Sequence, residues 1–183
     1  MNGPIWKLSG RLGNQLFRHA YIYSQMREGK IPDEFVQDPA HFERYSNAIK
    51  IMFGGGIGDD PRVCLQVRRG DYVNNPFYVD LMKTDYYQKA MVMFPNRKFL
   101  VFSDDIEWCK QQEIFKNCEF NVNGEDWEDM NKMASCHGHV IANGSFGWWG
   151  AFLSPHNDKV IAPKAWYTDC IERTKCLSSW IRI

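Results

Sequence analysis

Two adjacent arginines, Arg68 and Arg69, are the residues of this chain best suited to do chemistry. They follow the apolar run Val63-Cys64-Leu65 and are followed by Gly70 and Asp71. The run predicts a strand, and residues that leave a parallel strand lie at the carboxyl edge of the sheet, where α/β folds bind ligands. A guanidinium is a permanently charged fork that pairs well with phosphate, and Asp71 could hold one fork in place. The pair predicts a phosphate or diphosphate site, with two solvated surface charges as the alternative.

Polar residues also follow the next predicted strand, residues 99–102. They are Ser103, Asp104 and Asp105. One of the two carboxylates is expected to cap the following helix, which leaves the other free to accept hydrogen bonds from ribose hydroxyls. The doublet lacks the spacing of a D-x-D metal motif, so we predict no metal from it.

A third group follows the predicted strand at residues 139–142. Asn143, Ser145 and Phe146 open a helix there, and helix N-terminal amides with a hydroxyl can bind an anion. An ordinary turn between strand and helix is the alternative. Together with the arginines, this group predicts a pyrophosphate site on one rim of the sheet.

The composition excludes several classes of protein. The chain has 183 residues, which is enough for one substantial domain. Its 22 basic and 22 acidic residues give a formal net charge of zero, so we expect no nucleic-acid partner. No apolar run is long enough to span a bilayer, and the first residues lack the pattern of a signal peptide, so we expect a cytoplasmic protein.

The six cysteines form no C-x-x-C pair and are predicted to be reduced and structural. The segment Cys136-His137-Gly138-His139 contains possible metal ligands. No second cluster lies at the spacing of a zinc site in the sequence, and a helix end explains the segment as well. We therefore predict no metal.

Apolar patterns indicate alternating strands and helices, which is typical of an α/β fold with a mainly parallel sheet. We predict strands at residues 5–8, 63–67, 99–102, 119–122, 139–142 and 160–162 and helices at residues 15–28, 40–53, 84–94, 105–114, 127–135 and 146–153. Residues 54–61 hold four glycines and a proline and are the best candidate linker. A phosphate-binding glycine loop is the alternative there, although the lysine and serine of a P-loop are missing. The predicted division is a shortened N-terminal segment, residues 1–60, and a Rossmann-like domain, residues 61–183.

Five segments taken in order resemble the motifs of the α-1,2-fucosyltransferases of glycosyltransferase family 11. They are GRLGNQLF at residues 10–17, VRRGDY at 67–72, FSDDIEWC at 102–109, IANGSFGWWGA at 141–151 and APKAWY at 162–167. The resemblance implies a GT-B-like fold, GDP-β-L-fucose as the donor, a carbohydrate acceptor, inversion to an α-linkage and no required metal or other cofactor.

The same resemblance implies roles for particular residues. Arg68 would hold the β-phosphate with support from Arg69, Ser145 would add a hydrogen bond, and Asp129 would read the guanine edge. Gly13 and Asn14 would face the donor sugar. An inverting transfer also needs a base near the acceptor hydroxyl, and Asp71 and Asp80 are the carboxylates nearest the arginines. Asp71 could instead serve only to orient Arg68.

The chain departs from the family pattern in two places. Gln66 stands where the family usually has His, and its amide could still hydrogen-bond the nucleotide but cannot titrate. The resemblance also implies that most of the family's N-terminal domain, which usually supplies the acceptor side of the cleft, is missing between residues 29 and 36. One alternative is therefore a GDP-sugar-binding module without turnover, and another subunit could complete the acceptor site. A related GDP-sugar transferase or a protein O-fucosyltransferase is a further alternative, because residues 10–15 also resemble the start of protein O-fucosyltransferases.

Overall fold

A computed structural model describes residues 11–29, 37–54, 58–122, 124–156 and 159–183. The strand predicted at residues 5–8 lies outside these ranges. The helices are α1 (Leu12–Arg27), α2 (Ser46–Met52), α3 (Tyr86–Val92), α4 (Ile106–Lys110), α5 (Asp126–Ala134) and α6 (Ser145–Leu153). The strands are β1 (Asp60–Val67), β2 (Phe99–Ser103), β3 (Glu119–Phe120), β4 (Cys136–Val140), β5 (Val160–Ala162) and β6 (Ile181–Arg182).

The six strands form one parallel sheet in the order β3-β2-β1-β4-β5-β6. This is the strand order of a doubly wound, Rossmann-type sheet, in which the chain reverses direction between β1 and β4. The predicted α/β class with a parallel sheet is confirmed. Ligands of such sheets bind outside the carboxyl ends of the strands at the point of reversal.

Successive strand side chains point to opposite faces of the sheet and build two cores. One core includes Val63, Leu65 and Tyr87 and is covered by α3 and α4. The other contains Trp148 and Trp149 of α6, and Phe17 of α1 packs against both of these rings. The described N-terminal helix therefore shares a core with the sheet. The domain boundary at residue 60 stays a prediction.

The helix predicted at residues 40–53 is interrupted. Two 3₁₀ turns, Pro39–His41 and Glu43–Tyr45, precede α2. The backbone of Phe42 leaves helical geometry between them, with φ −135°, and this residue places its ring fully in the core. Burial of the aromatic ring therefore overrides the helical pattern.

Further boundaries differ from the prediction. The helix predicted at residues 105–114 ends at Lys110, because the side chain of Gln112 donates to the Trp108 carbonyl and a 3₁₀ turn, Glu113–Phe115, follows. Residues 136–139, for which the sequence also allowed a helix end, lie in strand β4. The β4 ladder stops at Val140 rather than residue 142, and the Ala142 amide donates instead to the side chain of Gln66.

The structure also differs from the prediction near both ends of the described chain. Helix α1 begins at Leu12 rather than residue 15, so Gly13 and Asn14 lie in its first turn. Strand β6 was not predicted, because two exposed residues carry no apolar pattern. All six cysteines are free thiols. Within the described residues, none of the helices combines the length and the apolar character needed to cross a membrane.

Candidate active site

A cavity of about 470 Å³ lies at the carboxyl edge of the sheet, beside the ends of β1 and β4. Its volume is in the range of small-molecule sites. The predicted site residues that line it are Gly13, Asn14, Gln66, Arg68, Asp71, Ser103, Asp104, Asp129, Ser145 and Phe146. The predicted site residues that do not line it are Arg69, Asp105 and Asn143. Five separate segments of the sequence thus meet at one rim.

Arg68 is the central cation of the cavity. One nitrogen of its guanidinium contacts the carboxylate of Asp71, and another contacts that of Asp104. The guanidinium also lies over the ring of Tyr72, 4.8 Å from its centroid. Its side chain is 15% exposed, so the charge is partly desolvated and held on three sides. Few rotamers are open to it, and this preorganises the fork for an anion.

Asp104 fixes the turn that carries the arginines. Its second oxygen accepts a hydrogen bond of 2.8 Å from the Arg69 backbone amide. Gly70 has φ +37°, and a Cβ there would lie 2.4 Å from Asp104 Oδ2. Both oxygens of Asp104 are therefore occupied by the arginine turn. This is the carboxylate that the sequence left free for ribose, and its contact with ribose stays a prediction.

Arg69 points away from the cavity toward α4. Its guanidinium lies 3.5 Å from the ring centroid of Trp108, and its Nε is 3.9 Å from Asp105 Oδ2. Asp105 caps α4 by accepting from the Trp108 amide, and Ser103 Oγ accepts from the Asp105 amide. This arrangement agrees with a supporting role for Arg69. The role itself stays a prediction.

The opposite wall of the cavity joins α1 to the start of α6. Ser145 Oγ donates to Asn14 Oδ1 over 2.8 Å, which draws the two helices together. A Cβ at Gly13 would lie 2.7 Å from Ser145 atoms, so only glycine allows this approach. The first amides of α6 lack partners within the helix and carry the positive end of its dipole. This wall is therefore suited to a negatively charged group.

Two residues that sequence reasoning missed extend this wall. Gln37 Nε2 donates to Asn14 Oδ1 over 3.0 Å, and Thr174 Oγ1 donates to Gln37 Oε1 over 2.5 Å. All three side chains line the cavity. Since Asn14 Oδ1 accepts from both Gln37 and Ser145, the amide nitrogen of Asn14 remains the donor available to a ligand. Neither Gln37 nor Thr174 lies near a predicted strand exit, so no sequence signal marked them.

Gln66 lies at the base of the cavity and is almost fully buried. Its Oε1 accepts from the Ala142 amide over 3.0 Å, and Tyr87 donates to its backbone carbonyl. A Cβ at Gly147 would collide with this amide at 2.0 Å. One oxygen of Gln66 therefore joins β1 to the end of β4. Its Nε2 is the group left to meet a nucleotide.

Asn143 is buried beneath the cavity wall. Its Nδ2 donates to the backbone carbonyls of Val79 and Trp166, each over 2.9 Å. These two bonds hold together the loop after the arginine turn and the segment after β5. The structure therefore assigns Asn143 a positioning contact, and its predicted contact with donor is untested.

Asp129 of α5 lines the far end of the cavity. Its Oδ1 accepts from Asn121 Nδ2 over 2.7 Å and from the Gly124 amide over 3.2 Å. The carboxylate is thereby oriented at the rim. Its predicted contact with the guanine edge stays a prediction.

The two candidate bases differ in position. Asp71 lines the cavity and lies beside Arg68, and Arg11 approaches it at 3.7 Å. Asp80 is outside the cavity lining, and its side chain caps a 3₁₀ turn by accepting from the Met82 amide. The geometry favours Asp71 over Asp80.

Tyrosines that were not predicted as site residues form the outer wall. The rings of Tyr72 and Tyr78 stack with centroids 3.6 Å apart, and Tyr167 lies 5.6 Å from Tyr78. All three line the cavity. Burial raises the pKa of Tyr72 above its usual range, so the phenol stays neutral. The VRRGDY and APKAWY motifs contain two of these residues, but nothing in the sequence indicates that they meet.

Comparison with known proteins agrees with this geometry. Residues 13–183 match the sequence pattern of Glycosyl transferase family 11. The chain belongs to glycosyltransferase family 11. The match includes every predicted site residue, from Gly13 to Phe146.

Three curated relatives illustrate the similarity. The O-antigen biosynthesis glycosyltransferase WbnK of Escherichia coli is 32% identical over 65% of this chain and 43% of its own length. An Alpha-1,2-colitosyltransferase of Escherichia coli is 36% identical over 66% of this chain and 47% of its own length. The human Galactoside alpha-(1,2)-fucosyltransferase 1 is 27% identical over 84% of this chain and 44% of its own length. The chain spans less than half the length of these relatives. No solved structure matches it.

Proposed function

We propose that this chain forms the donor site of an inverting glycosyltransferase that moves L-fucose from GDP-β-L-fucose to a sugar hydroxyl, forming an α-1,2 linkage. The observation that carries the proposal is the placement of Arg68 and the N-terminus of α6 on the same cavity at the reversal point of the sheet. A fork of positive charge on one side and helix amides on the other suit a diphosphate. Membership in glycosyltransferase family 11 supports the transfer of a sugar.

The leaving group explains why the arginine is held so firmly. As the bond between the anomeric carbon and the β-phosphate oxygen breaks, the electron pair leaves with GDP and the charge on the diphosphate grows. Arg68 would bind this charge more strongly in the transition state than in the bound donor. We propose that the Arg68 guanidinium stabilises the charge of the departing diphosphate, as a divalent metal ion can, and that the transfer needs no metal.

The transfer requires a base that accepts the proton of the acceptor hydroxyl. As the hydroxyl oxygen forms its bond to the anomeric carbon on the face opposite the diphosphate, Asp71 would take the proton. Asp71 contacts Arg68, so a diphosphate that binds Arg68 would compete with this carboxylate. Donor binding would thereby release Asp71 to act as the base.

The aromatic wall supports a carbohydrate acceptor. Tyr72, Tyr78 and Tyr167 border the cavity beside Asp71. Aromatic rings offer the apolar C–H surface of a pyranose a partner, while their hydroxyls meet its polar edge. The rest of the acceptor site, including any part supplied by another subunit, stays a prediction, as does a cytoplasmic location.

A second candidate differs only in the sugar. One relative carries the name Alpha-1,2-colitosyltransferase and has the higher identity of the two bacterial relatives. Colitose in place of fucose would leave the diphosphate and base contacts unchanged. Parallel titration with the two activated sugars separates the candidates.

The test is calorimetric titration with GDP and GDP-fucose in the presence of chelator, followed by an assay for GDP released with lactose-type acceptors. We expect binding, acceptor-dependent release, and a loss of roughly 10² in affinity for Arg68→Ala, by analogy with oxyanion-hole donors. Arg97→Ala is the matched control, because Arg97 contacts the Pro61 carbonyl at the other edge of the sheet. Binding without release would indicate a GDP-sugar-binding module without turnover. Unchanged affinity in Arg68→Ala would contradict the proposed site.

A further inference from the structure

A second group of polar side chains lies at the amino edge of the sheet, opposite the cavity. Asp59 directly precedes β1, and His137 is the second residue of β4. The neighbouring pair Asp60 and Cys136 are in register across these strands, which brings Asp59 and His137 together. His156 reaches the same point from the segment after α6. The strand pairing and the segment after α6 therefore bring together three residues that are far apart in sequence.

The scaffold beneath this group is ordered by buried hydrogen bonds. Ser154 is fully buried, and its hydroxyl donates to the Cys136 carbonyl over 3.3 Å. The same oxygen accepts from the His156 amide over 3.0 Å. Ser154 thus fixes the backbone of His156 against the first residue of β4. This fixed backbone places the imidazole beside His137.

Both imidazoles point at one carboxylate. His137 Nε2 contacts Asp59 Oδ1, and His156 Nε2 lies 3.7 Å from the same oxygen. The two rings lie 4.2 Å apart at their centroids, and the three ligating atoms lie within 4.8 Å of one another. A tetrahedral ion with bonds of about 2.0–2.1 Å holds its ligand atoms roughly 3.3 Å apart. Small side-chain rotations would bring the three atoms to that spacing.

We propose that Asp59, His137 and His156 bind a divalent transition-metal ion of the zinc type at the amino edge of the sheet. Two imidazole nitrogens and one carboxylate oxygen are a donor set that zinc accepts, and imidazole favours such ions over magnesium or calcium. The side chains are 81%, 29% and 37% exposed in the order named, so an ion can reach them from solvent.

The sequence predicts no metal, and the possible ligands that it places beside His137 are Cys136 and His139. Cys136 is fully buried, its Sγ lies 3.5 Å from the Lys132 carbonyl oxygen, and it is separate from the group. The His139 ring is fully buried and separate from the group. The real neighbours, Asp59 and His156, are 78 and 19 residues away in the chain. Only the strand register and the crossover after α6 bring them together.

The ion would have a structural effect and would not act in the transfer. It would tie the start of β1, the start of β4 and the end of α6 to one another at the edge opposite the arginine cavity. Since the ion binds the folded chain, it should raise the melting temperature. At a concentration of 100 times the dissociation constant, we expect a rise of roughly 5–10 °C.

The test uses the whole chain freed of metal by chelator and then titrated with Zn²⁺ by calorimetry and with Co²⁺ by visible absorption. We expect one ion per chain and a tetrahedral Co²⁺ spectrum without a thiolate charge-transfer band. His137→Gln and His156→Gln should each weaken binding at least tenfold and cut the rise in melting temperature at the same ion concentration by about half or more. His19→Gln and Cys170→Ser, which change an exposed histidine and the exposed thiol, should leave the affinity unchanged.

Two results would overturn the site. One is the absence of saturable Zn²⁺ binding to the wild-type chain at sub-millimolar concentration. The other is an affinity that is retained in both histidine variants, or lost in Cys170→Ser, which would place the ion on a thiol. Neither result bears on GDP binding, since that titration is done in chelator.

Discussion

The contact between α1 and α6 can be tested by adding one methyl group, in Gly13→Ala. The new Cβ would lie 2.7 Å from Ser145, whereas ordinary contact begins at 3.4 Å, so α1 must move by about 0.7 Å. The same shift would lengthen the 2.8 Å hydrogen bond between Ser145 and Asn14 to about 3.5 Å, where it is effectively lost. Overpacking costs about 1–3 kcal/mol and the hydrogen bond about 1 kcal/mol, while alanine returns up to about 1 kcal/mol of helix propensity. We expect a net loss of about 1–3 kcal/mol.

Urea unfolding of the two proteins measures this loss as a lower midpoint at an unchanged slope. Gly144→Ala is the matched control, because its Cβ would meet nothing within 4 Å and only a cap residue changes, at a cost below about 1 kcal/mol. Calorimetry should also show weaker GDP binding for Gly13→Ala, since Asn14 and Ser145 separate. Equal midpoints for Gly13→Ala and Gly144→Ala would refute the reasoning that steric contact sets the distance between these helices.

Four further substitutions, one of them combined with a pH profile, test other contacts. Arg68→Lys keeps the charge but loses the fork, so GDP affinity measured by calorimetry should fall at least tenfold. Asp71→Asn should lower the rate of GDP release with acceptor by 10² or more while GDP affinity is unchanged or higher, and an unchanged rate would exclude it as the base. Burial lowers the pKa of His139 to about 3, so the folded state stays neutral while the unfolded state gains a proton below its usual pKa of 6.5. The free energy of unfolding should therefore fall by about 1.4 kcal/mol per pH unit below pH 6.5, and His139→Leu should remove this slope. Gly147→Ala should displace the Gln66 amide and lower the urea midpoint, because its Cβ would lie 2.0 Å from Oε1.

Much of the sheet could be predicted from the sequence because its strands are buried on both faces. The runs at Val63, Phe99 and Val160 are continuous and apolar, and each lies within a strand. Strand β6 and the 3₁₀ turns could not be predicted, since their residues are held by backbone pairing and by side-chain caps rather than by an apolar period. Aromatic burial at Phe42 is a tertiary effect that no local pattern contains.

The residue types of the site could be predicted from the sequence, but which contact each residue makes could not. Strand exits place Arg68, Asp104 and Ser145 on one rim in any parallel sheet of this order. Which carboxylate supports the arginine depends on the turn at Gly70, whose backbone lies against Asp104. Asn143 is an equally plausible ligand by type and position, yet its Nδ2 donates to two backbone carbonyls. Hydrogen-bond competition of this kind is decided by three-dimensional proximity.

The two carboxylates that contact Arg68, Asp71 and Asp104, are not held equally firmly, and this difference decides which of them an entering anion can replace. Asp104 is anchored twice, by Arg68 and by the Arg69 amide, and it lies at the base of the turn. Asp71 has an exposed side chain, and both of its charged partners, Arg68 and Arg11, are arginines that line the cavity. A diphosphate that enters can therefore replace Asp71 on Arg68 more easily than Asp104, since replacing Asp104 also breaks the backbone bond. The arginine keeps its orientation through Asp104 while it exchanges one anion for another, and the displaced carboxylate remains at the rim where an acceptor hydroxyl would arrive.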